Sequence, residues 1–521
     1  MENITVKSSA RVRAAITASV LALAVVIPTA ATASPSPAPE PAPAAAKKST
    51  PVYEGLPPGV NKKKTLVIGL DGAAMAQINK KNTPNMAKLI SEGMVSESNL
   101  YANPMAPTVS GAGWSSIATG VWPDKHKVPD NSFSNPNYDQ YPDYLTRIEN
   151  ARAQSSTLVV GTWSPIPDKV FAKGADLKLR GGNDAGTTAK AVDYLLNGNP
   201  DSTFVHLDEI DGAGHSNGSD SIAYTRGHKT ADQQIGQMLE AIEQRKTYHK
   251  EDWVVMVTSD HGHTPGGGHG GSSIRERATF VIANGKQFKA GTERHDVKIT
   301  DIAPTVLKHQ GVRVEDEWNL DGKNINSIAA DDFDTLRPHL KKAKDEAKLS
   351  AQTKGWTTTA PSGWTIDNSA MPKGGVREWR GWSFTTDEFW TNTDLNQGRE
   401  TSVHNRNVFA VADSDEWDDK AHDPGQFDST LISPEYKVKG GQSATLSFAS
   451  NYKIDGPQSG EVFVSFDGGE PVLVKSYDKN YNGVESIAID VPKKAKKAQV
   501  SFRYTGTNSA FWSIDQVSLK K

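Results

Sequence analysis

Apolar and polar positions change their spacing once along this chain, and the change divides it. From Lys64 to about Leu340, short apolar runs alternate with stretches of helical spacing. Thr65–Leu70 is one such run and ends at Asp71-Gly72; Thr157–Gly161, Thr203–Leu207 and Trp253–Val257 are three more. Between them Pro84–Glu92 reads as a helix, and Ile222–Gln244 places Ile235, Met238, Leu239 and Ile242 on one helical face. Apolar runs without alternation suit strands buried on both faces, so this rhythm predicts an α/β fold, a mostly parallel sheet flanked by helices. Beyond Gly355 the period becomes two. Ala444–Phe448, Glu461–Phe466 and Gln499–Tyr504 alternate and are separated by Gly and Asp-Gly turns. That pattern predicts an antiparallel β-sandwich, jelly-roll-like, over residues 355–521. The Lys-rich, helix-prone segment 336–354 reads as a solvated connecting helix, which leaves 52–335 to the first domain.

The amino terminus carries a different signal. Lys7, Arg11 and Arg13 precede an apolar run from Ala14 to Ile27, and Ala31-Thr32-Ala33 offers a small-residue cleavage site. Residues 1–33 therefore read as a signal peptide, too short in their apolar part for a comfortable membrane span, and the expectation is a secreted protein. Residues 34–51 are mostly Pro, Ala and Ser, a semi-extended linker that can bury no core.

Composition narrows the chemistry. The chain has 521 residues, a formal net charge of -3 and no cysteine. Disulfides and thiolate metal sites are excluded, and so small a charge implies no nucleic-acid partner. Seven of the twelve tryptophans lie beyond Gly355, where they serve a core or, less readily, a glycan-binding face. The acidic run Asp413–Asp419 is either a calcium site or a solvated loop, and Asp515 either a further ligand or a turn anchor.

Ligands of α/β sheets bind at the carboxyl ends of strands. Asp71, the pair Asp211 and His215, and the pair Asp260 and His261 each follow a predicted strand, and His269 stands in a Gly-rich run close behind. Alone, each is more readily a turn residue or a satisfied polar group. Together in one cleft they would repel or desolvate badly without cations, and mixed Asp/His ligation suits zinc. In Pro107–Gly120 small residues gather where a helix should begin, and Ser110 there is either a plain N-cap or a nucleophile facing a phosphoryl group.

These motifs resemble those of the alkaline phosphatase superfamily, nearest its nucleotide pyrophosphatase/phosphodiesterase branch. Ser110 stands at the place of that family's nucleophilic threonine. Trp122–Val128 is similar to the run that follows it, and Asn131 falls where the family has an asparagine on a phosphate oxygen. Asp211-x-x-Gly214-His215 and Ser259-Asp260-His261-Gly262 match its two metal motifs. Thr300–Val306 is similar to a helix that closes the domain, with a packing role. The resemblance implies two zinc ions, one held by Asp71, Ser110, Asp260 and His261, the other by Asp211, His215 and His269. His263 and His295 compete for the last place. It implies a metal-dependent phosphodiesterase or pyrophosphatase working through a phosphoseryl intermediate, with a phosphate-ester small molecule or lipid headgroup as substrate. Rival readings are a phosphomonoesterase, a sulfatase, or a secreted binding protein with a decayed enzyme domain. The Cys/Ser-x-Pro-x-Arg motif of sulfatases is absent, since Ala112 and Trp114 hold its Pro and Arg places.

Overall fold

A computed structural model describes residues 53–346 and 353–520; the expected signal peptide and the whole of the linker lie outside them. The first half is built on one eight-stranded mixed sheet. Its strands are β1 (Lys63–Leu70), β2 (Met94–Asn99), β3 (Thr157–Gly161), β4 (Leu177–Arg180), β5 (Ser202–Leu207), β6 (Asp252–Thr258), β7 (Ala278–Asn284) and β8 (Thr292–Arg294). They lie side by side in the order β4-β3-β5-β1-β6-β7-β2-β8. β4, β3, β5, β1 and β6 are mutually parallel, and β7 alone runs against its neighbours. The central strands are apolar on both faces because separate apolar clusters cover them. One groups Val67, Trp114, Phe204 and Met256, and the other Leu66, Ile68, Val205 and Met238. The long helix Ile222–Glu243 turns Ile235, Met238 and Ile242 into the second cluster, as its spacing predicts.

The second half consists of two antiparallel sheets. The larger has seven strands and is centred on Ser443–Tyr452 and Phe511–Lys520; the smaller has six and is centred on Gln458–Phe466 and Lys497–Gly506. Their inner faces share one core, with Phe448 of one sheet edge-on to Phe502 of the other at 5.1 Å between ring centroids. All seven tryptophans of this half are buried in that core, so none offers a stacking platform for a sugar.

Two expectations change here. Where a solvated connecting helix was expected, the described part is a 3-10 helix, Phe333–His339, followed by a two-residue strand, Lys341–Lys342. Pro338, inside that 3-10 helix, has no N–H with which to extend an α-helical ladder, and Phe333, Leu336 and Leu340 are drawn into the sandwich core. Residues 347–352 of that segment lie outside the described residues. The acidic run 413–419 is no open cation cage. Asp413 accepts the Trp390 indole N–H at 2.9 Å and caps the short helix Ser414–Asp418, and Arg399 faces both Asp413 and Glu416. Asp515 anchors backbone, accepting the N–H groups of Arg406 and Gln516.

The two halves meet through buried charge. The Arg406 guanidinium grips the Asp301 carboxylate with both arms, at 2.7 and 3.0 Å, and also donates to the Asp296 carbonyl. Arg277 pairs with Asp387, and the Tyr101 hydroxyl reaches the carbonyl oxygens of Val403 and Asn405 at 3.0 Å. Asp301 sits at the start of the Ile302–His309 helix, so the segment that resembles a domain-closing helix also ties down the sandwich. Removing one partner of a buried pair strands the other charge. Arg406→Met should therefore destabilise the protein by about 3–5 kcal/mol, read as a lowered urea midpoint in tryptophan fluorescence; a loss below about 1 kcal/mol would show that the bridge contributes little.

Candidate active site

Neighbouring strands deliver the polar residues to one edge of the sheet. Asp71 follows β1 at once, Asp260 and His261 lie just past β6, and β5 leads into the helix Glu209–Asn217, which carries Asp211 and His215. Ser110 is the first residue of the helix Ser110–Thr119. The small residues of that segment have a steric cause: a Cβ on Gly113 would lie 2.7 Å from the Asp260 Cβ, so only glycine lets the helix approach β6 this closely.

The result is a tight constellation. Ser110 Oγ lies 3.4 Å from Asp71 Oδ1 and 3.3 Å from His261 Nε2. His261 Nε2 is in turn 3.5 Å from Asp71 Oδ1 and 3.3 Å from Asp260 Oδ2. Beside it, His269 Nε2 lies 3.1 Å from His215 Nε2 and 3.5 Å from Asp211 Oδ1, while His215 Nε2 is 3.4 Å from Asp211 Oδ2. The His269 ring is oriented by a 2.7 Å contact from Nδ1 to the Thr108 carbonyl, which turns Nε2 to the other groups. The rings of His261 and His269 are 3.9 Å apart, so the two sets adjoin. Asn131 is exposed beside Ser110, and its Oδ1 accepts the Gly111 N–H at 2.7 Å. The competitors differ in place. His263 is buried with Nε2 2.7 Å from Asp211 Oδ1, inside the constellation, whereas His295 lines a cavity between the two halves with Arg337 and Asp387.

Three contributors were not legible beforehand. Trp114 and His206 both bond to Asp71, and Asp208 stands beside them. Trp114 reads as a core residue and His206 as a strand residue, and nothing in their spacing from Asp71 announces the meeting.

The residues present fit divalent cations. Asp71, Asp208, Asp211, His206, His261, His263 and His269 fall into overlapping groups, with Asp260, whose ligand atoms lie within 4.8 Å of one another. Asp260 Oδ2 is buried with no hydrogen-bond partner, an expense that coordination would remove. Burial first, and the neighbouring carboxylate Asp211 after it, push the Asp260 carboxyl up to about 8. Burial and then Asp260 raise Asp71. For Asp211, burial acts upward, but the His263 bond and the surrounding imidazoles outweigh it and hold the group low. Burial lowers His261 and brings His269 down to about 4, so both rings are neutral and have lone pairs to give.

The family follows from this chain at large. Its sequence profile, type I phosphodiesterase / nucleotide pyrophosphatase, matches residues 65–178 and 149–406, and the chain belongs to that family. Among relatives, it is 23% identical over 231 residues to ectonucleotide pyrophosphatase/phosphodiesterase family member 3 of Mus musculus. That match takes in 40% of this chain and 25% of the relative, so the chain spans a quarter of that protein's length. Among solved structures, murine ectonucleotide pyrophosphatase/phosphodiesterase 5, an inactive form in complex with AMP, overlaps 49% of this chain and 96% of its own at 14% identity and a TM-score of 0.39. A 2-O GAG sulfatase overlaps 62% of this chain and 80% of its own at 14% identity and a TM-score of 0.39.

A carboxyl raised by burial makes the metal-free fold sensitive to base. The Asp260 carboxyl ordinarily titrates at 3.8, and in the fold at about 8. Its contribution is complete below the lower value and is lost as pH rises through the higher one. Histidines held neutral by burial oppose this trend only below their ordinary value of 6.5. Chelated protein should therefore lose melting temperature from about pH 6.5 to 8. Asp208 in the cleft and Asp334 and Glu416 outside it, raised to about 7, 7 and 8, add to the loss, so zinc should cancel only the share that the cleft contributes; a flat profile in chelator would show that Asp260 is not held this way.

Proposed function

We propose that this protein is a secreted phosphodiesterase or pyrophosphatase that holds two divalent cations, zinc by the character of its ligands, and works through Ser110. The observation that carries the reading is the placement of Ser110 Oγ at a helix N-terminus, within 3.4 Å of both Asp71 Oδ1 and His261 Nε2. Asp71, Ser110, Asp260 and His261 would hold one cation, and Asp211, His215 and His269 the other. Bound there, the cations would favour the ionised hydroxyl of Ser110 and offset the charge of the phosphoryl group.

Ser110 Oγ attacks phosphorus in line, the ester oxygen departs, and a phosphoseryl enzyme forms; water then cleaves the new bond and returns Ser110. Asn131 holds a phosphoryl oxygen. Its Oδ1 is spent on the Gly111 N–H, which leaves the side-chain N–H groups as the donors toward substrate. Of the first helical turn, Gly111 and Gly113 donate their N–H groups to Asn131 and the Val109 carbonyl, and the N–H groups of Ser110 and Ala112 add to that charge stabilisation. The described partners of Ser110 and Asn131 are Asp71, His261 and the Gly111 amide, with no Lys or Arg among them. That set suits the single charge of a diester better than the double charge of a monoester. Trp114, buried against Asp71 where sulfatases have their arginine, weighs against sulfate esters. The substrate is a phosphate-ester small molecule or lipid headgroup; the sandwich would bring a surface ligand, with its edges rather than its tryptophans.

Ser110→Ala should keep the fold and cation binding nearly intact and lower turnover of bis-p-nitrophenyl phosphate by at least about 1000-fold, in the range found for lost nucleophiles. Wild-type protein should prefer that diester to p-nitrophenyl phosphate and lose both activities to a chelator. Substantial turnover by Ser110→Ala would remove Ser110 from the reaction, and a preference for the monoester would move the enzyme to the phosphatase side.

A further inference from the structure

The two oxygens of Asp71 face different neighbours. Oδ1 is turned to Ser110 and His261, at 3.4 and 3.5 Å. Oδ2 is turned inward, 2.8 Å from Trp114 Nε1 and 3.0 Å from His206 Nε2. Both rings are wholly buried and meet edge to face, 4.9 Å between centroids. Strand β1 is adapted to them. Gly69 stands two residues before Asp71, and a Cβ there would lie 2.4 Å from the Trp114 indole. The strand thus leaves out a side chain where the ring must pass to reach the carboxylate.

We infer that Trp114 and His206 are positioning residues that lock Asp71 through Oδ2, so that Oδ1 alone faces the cation shared with Ser110, Asp260 and His261. The inference rests on the cation reading proposed above. A carboxylate can otherwise rotate and offer either oxygen or both. Two N–H donors fill the two lone-pair directions of Oδ2 and remove that freedom. Partners of this kind typically contribute 10- to 100-fold, roughly, to metal affinity.

A rival reading exists, because Asp71, His206 and Asp208 lie close enough to hold a cation of their own. The hydrogen-bond pattern opposes it. His206 Nε2 lies 3.0 Å from Asp71 Oδ2, and an ionised carboxylate oxygen only accepts, so Nε2 carries a proton; the Trp163 backbone N–H on the Nδ1 side, 3.5 Å away, agrees with that. An Nε2–H that donates to Asp71 cannot also ligate a metal, and Trp114 claims the same oxygen from the other side.

The test is zinc affinity and stoichiometry of the full chain after chelation and reloading, by competition with a chromogenic zinc chelator and by elemental analysis, with no activity assay. Two zinc ions should bind wild type. In His206→Leu one of the two should weaken by about 10- to 100-fold. His206→Gln, whose amide N–H can still reach Oδ2, should recover most of that loss. Trp114→Phe removes one N–H and keeps most of the ring, and should weaken the same site. A packing role alone would lower the metal-free melting temperature of His206→Leu and leave zinc affinity of the folded protein unmoved; that result overturns the inference. So does a third zinc ion in wild type that His206→Leu loses while the others bind as before. A wild type that takes up no zinc overturns the cation reading as well, whereas unchanged affinity in all three variants overturns the clamp alone.

Discussion

Three carboxylates converge at one end of a buried sheet, and most of the structure around them answers that concentration of charge. Asp71, Asp211 and Asp260 arrive on three adjacent elements because β5, β1 and β6 are neighbours and parallel, so their carboxyl ends coincide. Each is met differently. Asp71 has Trp114 and His206 behind it, Asp211 has His263, and Asp260 keeps one oxygen with no hydrogen bond, only the His261 ring 3.3 Å away. An arrangement so costly when empty is economical only if something positive completes it.

Much of the first half was legible in the sequence, for a physical reason. A strand buried on both faces must be apolar throughout, so β1, β3, β5 and β6 announced themselves as continuous runs with polar residues at their ends. Of the strands that escaped notice, β2 reads MVSESN and β4 only LKLR, and in neither does burial impose a continuous pattern, whereas β7, ATFVIAN, is buried through its middle beside β6 and follows the site motifs without a turn signal of its own. The metal-type residues were visible because they follow strands at once. Trp114 and His206 were not, because a residue that supports a ligand from behind needs only to meet it in space. The described part of the connecting segment departs from a solvated helix because Pro338 lacks an N–H and Phe333, Leu336 and Leu340 enter the core, neither of which shows in the helix propensity of a Lys-rich stretch.

The sandwich was foreseen as a separate accessory layer, and its alternating strands bear out the architecture. What periodicity could not convey is how firmly it is attached. Arg406 lies in a loop of the second half and yet finds Asp301 at the foot of a helix of the first, and Arg277 of the first half finds Asp387 of the second. Long-range pairs of this kind leave no local pattern, because each member is an ordinary charged residue in its own stretch.

The doubly gripped Asp301 has a consequence for how this chain can be divided. The family profile runs on to residue 406, well past the last strand of the α/β sheet, and its final position is the arginine that reaches back to Asp301. A fragment cut after residue 335 would retain every group of the cleft, yet would expose the Tyr101 face and strand Asp301 and Arg277 without counter-charges in what had been an interior. The piece that can be cut out without stranding buried charge is therefore longer than the piece that holds the cleft, because Arg406 has to travel with the sheet.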